Sequence, residues 1–138
     1  MNEPAQADAT PAKDFTILIV DDSAMMRMMI KRAAGLSGLP IRHIFEAADG
    51  QQGLEVLEQQ HVDALFTDIN MPVMTGIELL RHIAGQERWR HMIRVVISTD
   101  GSESRRSEAD ALSVHLYVEK PFRPEVMRDV LTSLIAAR

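Results

Sequence analysis

The chain has 138 residues, 46% of them hydrophobic and none of them cysteine, with a net charge of −5 at pH 7. This length supports one domain that buries roughly two thirds of its unfolded surface, so no staple is needed to fold. The missing cysteines exclude disulfides, thiolate metal sites and Cys-based catalysis. The acidic balance argues against a nucleic-acid surface, and no apolar run approaches the ~18 residues of a membrane span.

The opening MNEPAQADATPAKD is rich in Ala, Pro and Asp and lacks the apolar centre of a signal peptide. It is expected to be a flexible tail over 1–14, ahead of a single domain over 15–138 in a cytoplasmic protein. Thr16–Val20 is a continuous apolar run, as in a central strand of a parallel sheet. Ser23 to Ala34 reads as a helix capped by Ser23, with Gly35 just past its end and with methionines on its surface and core side. Ile41–Ala47 is a second strand, and Asp49–Gln60 a helix capped by Asp49.

Val62–Thr67 is strand three, followed by the loop DINMPVMTG and a helix over Ile77–Glu87, with Trp89 placed at its exposed end. Arg94–Ser98 is strand four, Gly101 to Leu112 a polar helix, and Leu116–Val118 a short fifth strand. Pro124–Ala137 is the last helix, with proline at its first turn, where a missing N–H is harmless. Five β–α repeats imply an α/β fold, a doubly wound parallel sheet with helices on both faces.

In such a sheet, ligands bind beyond the carboxyl ends of the strands. Strand one ends in Asp21-Asp22, strand three in Thr67-Asp68, strand four in Ser98-Thr99 and strand five in Glu119-Lys120-Pro121. If strands one and three are neighbours, three carboxylates converge. At ~4–5 Å they would repel by about a few kcal/mol per pair. Either one is protonated or a cation compensates, and Mg²⁺ suits such oxygen ligands. With Lys120 and Ser98 able to hold phosphate oxygens, the chemistry becomes phosphoryl transfer with an aspartate nucleophile. Alone, each residue has an ordinary reading: a cap, a turn aspartate, a solvated lysine, a strand-end hydroxyl. Four at one sheet edge make a site.

ILIVDDSAMMR, LFTDINMPVMTG, VVIST and YVEKPF, in this order, resemble the receiver domain of two-component response regulators, most of all the stand-alone chemotaxis type. The resemblance covers residues 15–137 and implies a flavodoxin-like (βα)5 sheet in the order 2-1-3-4-5. It implies Asp68 as phosphoacceptor, and Mg²⁺ held by Asp21, Asp22, Asp68 and the backbone carbonyl of Asn70. It further implies Lys120 on the phosphoryl oxygens, a cis bond between Lys120 and Pro121, Ser98 as switch hydroxyl and Tyr117 as the aromatic that follows it.

The implied partners are a histidine kinase and a downstream target (a motor, a kinase or a relay component), met through the face of helix four, strand five and helix five. No nucleic acid, membrane or second copy is expected, nor any catalysis beyond the protein's own phosphorylation and dephosphorylation. The alternative is a receiver fragment or relay intermediate whose output lies elsewhere. An aspartate phosphatase would require Asp-x-Asp after strand one, and a flavin carrier a hydroxyl-rich loop where this chain has DDSAMM. A fourth reading, an inactive receiver-like scaffold, would leave an intact site unused. Thr75, Thr99, Ser113 and Glu119 depart from the family pattern and bear on rate and output face, while Asn70 and Asp100 suit a short-lived phosphoryl group.

Overall fold

In a computed structural model that describes residues 15–136, the chain forms five parallel strands and five α-helices in strict alternation. The elements are β1 (Phe15–Val20), α1 (Ala24–Leu36), β2 (Ile41–Ala47), α2 (Gly50–Gln59), β3 (Ala64–Thr67), α3 (Gly76–Ile83), β4 (Ile93–Ser98), α4 (Glu103–Ala111), β5 (Leu116–Glu119) and α5 (Pro124–Ala136). The strand order is β2-β1-β3-β4-β5, the doubly wound arrangement. The peptide between Lys120 and Pro121 is cis. The tail over 1–14 lies outside the described residues.

The central strands are apolar throughout because both of their faces are covered. Leu18, Val20, Leu65 and Val96 point to one side, where α2, α3 and α4 supply Leu57, Leu79, Leu80 and Ala109. Ile17, Ile19, Phe66, Val95 and Ile97 point to the other, against Ile30 and Ala33 of α1 and Met127 and Leu131 of α5. Each fully buried Ile or Leu contributes about 1.5–3 kcal/mol, so these two layers are the main source of stability. Strand register then carries Val20 beside Thr67, and both chains leave the sheet at the same edge.

Several boundaries differ from the sequence expectation, each for a local reason. Helix α1 runs through Gly35 to Leu36. Its stop is provided by Ser37, whose hydroxyl donates to the Ala34 carbonyl at 2.6 Å, and by Gly38 at φ +77°. Strand β3 begins at Ala64, two residues later than expected. Helix α3 ends early, at Ile83, because Gly85 turns the chain at φ +83° into a 3-10 turn over Glu87–Trp89. Trp89 is therefore not an exposed helix end. It is buried in the core beneath the Arg88 guanidinium, which lies 4.1 Å from its ring centre.

Two non-glycine residues occupy the left-handed region, Val73 at φ 68° and Ser113 at φ 66°. Both are exposed, so neither side chain offsets the backbone cost through burial. Val73→Gly and Ser113→Gly are each expected to raise stability by about 1 kcal/mol, read as a higher denaturant midpoint. An unchanged or lower midpoint would contradict the strain.

Candidate functional site

The acidic group forms at the carboxyl edge of β1 and β3. One carboxylate oxygen each from Asp21, Asp22 and Asp68 lies within 4.8 Å of the others, the one such cluster among the described residues. Asp21 and Asp68 are buried and Asp22 is exposed. Lys120, arriving from the end of β5, places its Nζ 2.9 Å from Asp21 Oδ2 and 3.1 Å from Asp68 Oδ2. One ammonium thus bridges two carboxylates, leaving three negative charges against one positive.

Backbone dipoles complete the cradle. The Ser23 amide donates to Asp21 Oδ1 at 2.9 Å, and the Ile69 amide to Asp68 Oδ1 at 2.6 Å. The Arg27 guanidinium donates to the Asp21 carbonyl and, through Nε, to Glu46 at 3.0 Å, tying the start of α1 to β2. Burial raises the Asp21 pKa above the usual carboxylate value, against the opposing pull of the Ser23 amide and Lys120. Burial also works against the Lys120 ammonium, but its hydrogen bond to the Asp21 carboxylate and the charge of Asp68 outweigh it and raise its pKa. The site holds its lysine charged and its first aspartate reluctant to ionise. Burial is the main cause of that reluctance, and the Lys120 charge only partly offsets it.

The loop from Asp68 to Gly76 is fixed at both ends. Gly76 donates to the Ile69 carbonyl at 2.8 Å, and a Cβ added at Gly76 would lie 1.9 Å from the Asp68 carbonyl oxygen. In the middle, the Gly50 amide donates to the Met74 carbonyl at 3.0 Å. Thr75, one of the departures from the family pattern, caps α3. Its hydroxyl accepts from the Glu78 amide at 3.1 Å, and Glu78 in turn accepts from the Thr75 amide at 2.8 Å. Thr75→Ala is expected to cost about 1 kcal/mol by urea denaturation. No loss would mean that the loop anchors alone define the start of α3.

Ser98 and Tyr117 belong to an adjoining network. Ser98 is fully buried, and its Oγ accepts from the Asp100 amide at 3.1 Å. The Tyr117 hydroxyl donates to the carbonyl of the same Asp100, and the Arg106 guanidinium sits 4.7 Å above the ring. Burial raises the pKa of Tyr117. Glu119 points away from the acidic cluster, exposed and 3.3 Å from Arg106. Arg105 pairs with Asp100 at 3.4 Å and Glu108 at 2.8 Å. Asn70 is exposed two residues beyond Asp68.

The structure therefore brings together Asp21, Asp22, Asp68 and Lys120, and sets Ser98 and Tyr117 around Asp100 beside them. Sequence reasoning missed Gly76, Arg27 and the Ile69 amide. Only the glycine carried a readable signal, as the end of a Pro- and Gly-containing loop.

A doubly wound sheet with three carboxylates and a lysine at its carboxyl edge is the arrangement expected of a receiver domain. The family model described as "Response regulator receiver domain" matches residues 17–132, and the chain belongs to that family. The chemotaxis protein CheY of Pseudomonas aeruginosa is 37% identical over 118 residues, 86% of this chain and 94% of that protein. CheY-3 of Vibrio cholerae is 34% identical over 122 residues, 88% of this chain and 92% of its own. The solved structure of the chemotaxis response regulator CheY4 of Vibrio cholerae superposes with a TM-score of 0.77. It is 28% identical and covers 87% of this chain and 98% of that one. The chain is thus a two-component signalling receiver of the chemotaxis CheY kind. No described helix is long and apolar enough to cross a membrane.

Proposed function

We propose that the chain accepts a phosphoryl group from a histidine kinase on Asp68 and relays it as a change in the face formed by α4, β5 and α5. The observation that carries this reading is the Lys120 ammonium, bridging Asp21 and Asp68 at 2.9 and 3.1 Å within a cluster of three carboxylates. In the transfer, an Asp68 carboxylate oxygen attacks phosphorus as the phosphorus–nitrogen bond of a phosphohistidine breaks. The leaving imidazole keeps the bond's electron pair and takes up a proton. The transition state is loose, so positioning and charge stabilisation do most of the work.

Hard oxygen donors, two of them buried, with only one cation among them, fit a magnesium ion. Asp21, Asp22, Asp68 and the carbonyl of Asn70 would hold it, and when bound it supplies charge neutralisation on the phosphoryl oxygens. The Ile69 amide orients the Asp68 carboxylate. Lys120 is free to leave Asp68 for a phosphoryl oxygen while keeping Asp21. The main chain excludes bulk on the Gly76 side, so approach is from the exposed rim of Asp22 and Asn70.

Phosphorylation replaces one negative charge by roughly two and adds acceptor oxygens. Ser98 has a proton to donate to them while its lone pair holds the Asp100 amide. Moving Ser98 disturbs Asp100, whose carbonyl anchors Tyr117, and so reaches Arg106 and Glu119 on the output face. The likeness to chemotaxis proteins supports a single-domain role in which that face binds a motor, a kinase or a relay component. The test is incubation with a phosphorylated histidine kinase or phosphoramidate in the presence of Mg²⁺. A label removed by hydroxylamine, as an acyl phosphate is, supports the reading. A label that resists hydroxylamine overturns it.

A further inference from the structure

A second charged site lies at the opposite end of the sheet. Arg94 is the second residue of β4 and is only 6% exposed, paired in register with Leu65 in the middle of the fold. Its Nη2 donates to the Trp89 carbonyl at 2.8 Å, and its Nη1 reaches the Ser113 carbonyl only at 3.5 Å. Its Nε is the one buried side-chain nitrogen or oxygen among the described residues without a hydrogen-bond partner. None of the ion pairs among the described residues includes Arg94, although arginine stays charged under any ordinary condition. Buried charges are normally paired, because burying one unpaired carries a large desolvation cost. Two carbonyl oxygens solvate this guanidinium but do not neutralise it.

The same residue lines a groove of about 350 Å³, bounded also by Gln86, Glu87, Arg90, Ser113 and His115. Arg90 adds a second guanidinium. The one acid here, Glu87, lies 3.3 Å from Arg90 and is already engaged. The Arg94 amide donates to Nδ1 of His115 at 3.0 Å, which places the neutral ring's proton on Nε2 and makes that nitrogen a donor. The groove therefore holds two guanidinium groups against one carboxylate, and the buried Arg94 is the one left without an anion. Guanidinium groups match phosphate and carboxylate oxygens in geometry as well as charge.

We propose that this groove, at the amino-terminal end of β4 and β5, binds a small oxyanion, a phosphate or a carboxylate, through Arg94 and Arg90. The site is separate from the acidic cluster, and its occupation does not depend on the phosphoacceptor chemistry. Filling it would neutralise Arg94 and tighten the segment from Gly85 to Arg90 against the turn at Ser113.

The test is titration of the ¹⁵N-labelled full chain with inorganic phosphate, and in parallel with succinate, at constant ionic strength set by chloride. Amides of Gln86, Glu87, Ser113 and His115 are expected to shift saturably, with a dissociation constant of about 1–10 mM. The anion that saturates them at lower concentration names the source. Arg94→Met, which keeps an apolar stem of similar length, is expected to weaken binding at least tenfold. Arg90→Gln alters a side chain that is 78% exposed, cannot threaten the fold, and is expected to weaken binding about threefold. Shifts that stay linear with concentration overturn the site, as do shifts confined to residues around Asp68 and Lys120. An unchanged constant in Arg90→Gln overturns it even if Arg94→Met does not fold.

Discussion

Replacing Gly76 by alanine is expected to cost about 3 kcal/mol or more and to lower the melting temperature by roughly 10 °C. The added Cβ would sit 1.9 Å from the Asp68 carbonyl oxygen, 2.9 Å from the Asp68 carbonyl carbon and 2.9 Å from the Ile69 Cα. All three are backbone atoms and cannot rotate away as a side chain could. The Asp68 carbonyl is held in turn by the Thr67 hydroxyl at 2.8 Å, and the Gly76 amide by the Ile69 carbonyl at 2.8 Å. The strain must therefore move the loop that carries Asp68. Loss of phosphoryl acceptance should accompany the loss of stability. Thermal melts and phosphorylation of the same preparation check both, and a variant of wild-type stability would refute the close approach.

Lys120→Met is the second large effect, and its pH dependence identifies the cause. Removing the ammonium leaves the buried carboxylates of Asp21 and Asp68 with no ion-pair partner among the described residues. In EDTA near pH 7.5 the variant is expected to lose about 3 kcal/mol, as for other broken buried pairs. Without the lysine the folded-state pKa of Asp21, already raised by burial, rises further. A group whose folded pKa is raised contributes stability below its unfolded value, and that stability is lost as pH rises through the folded value. The deficit should therefore shrink as pH falls from 7.5 toward 4, and magnesium should recover part of it at neutral pH. Urea denaturation at both pH values decides the matter. An equal deficit at each would mean that Lys120 acts through packing alone.

These effects also mark what the sequence revealed and what it hid. The strands read as Thr16–Val20, Val62–Thr67 and Arg94–Ser98 were legible to within two residues because strands buried on both faces must be apolar throughout. Once they are placed, the polar residues that follow them must meet at one edge. Asp21, Asp22, Asp68 and Lys120 come together for that reason. The role of Gly76 was not legible, since a 1.9 Å clash exists only after the loop has folded back on β3. Trp89 was misplaced because its neighbours in ERWRH are charged, and a 3-10 turn, unlike a helix, buries one residue in such a run. Arg94 read as an ordinary strand start. Nothing in RVVIS signals that its guanidinium lies inward, because long basic side chains usually reach solvent.

The most direct measurement is intact mass after incubation with acetyl phosphate, with and without Mg²⁺, for the wild type and for Asp68→Asn. One added phosphoryl group is expected in the wild type, dependent on Mg²⁺ and absent from the variant. An adduct that persists in Asp68→Asn, or that forms equally well in EDTA, would contradict the assignment of Asp68 as acceptor in a metal-assisted carboxylate cluster.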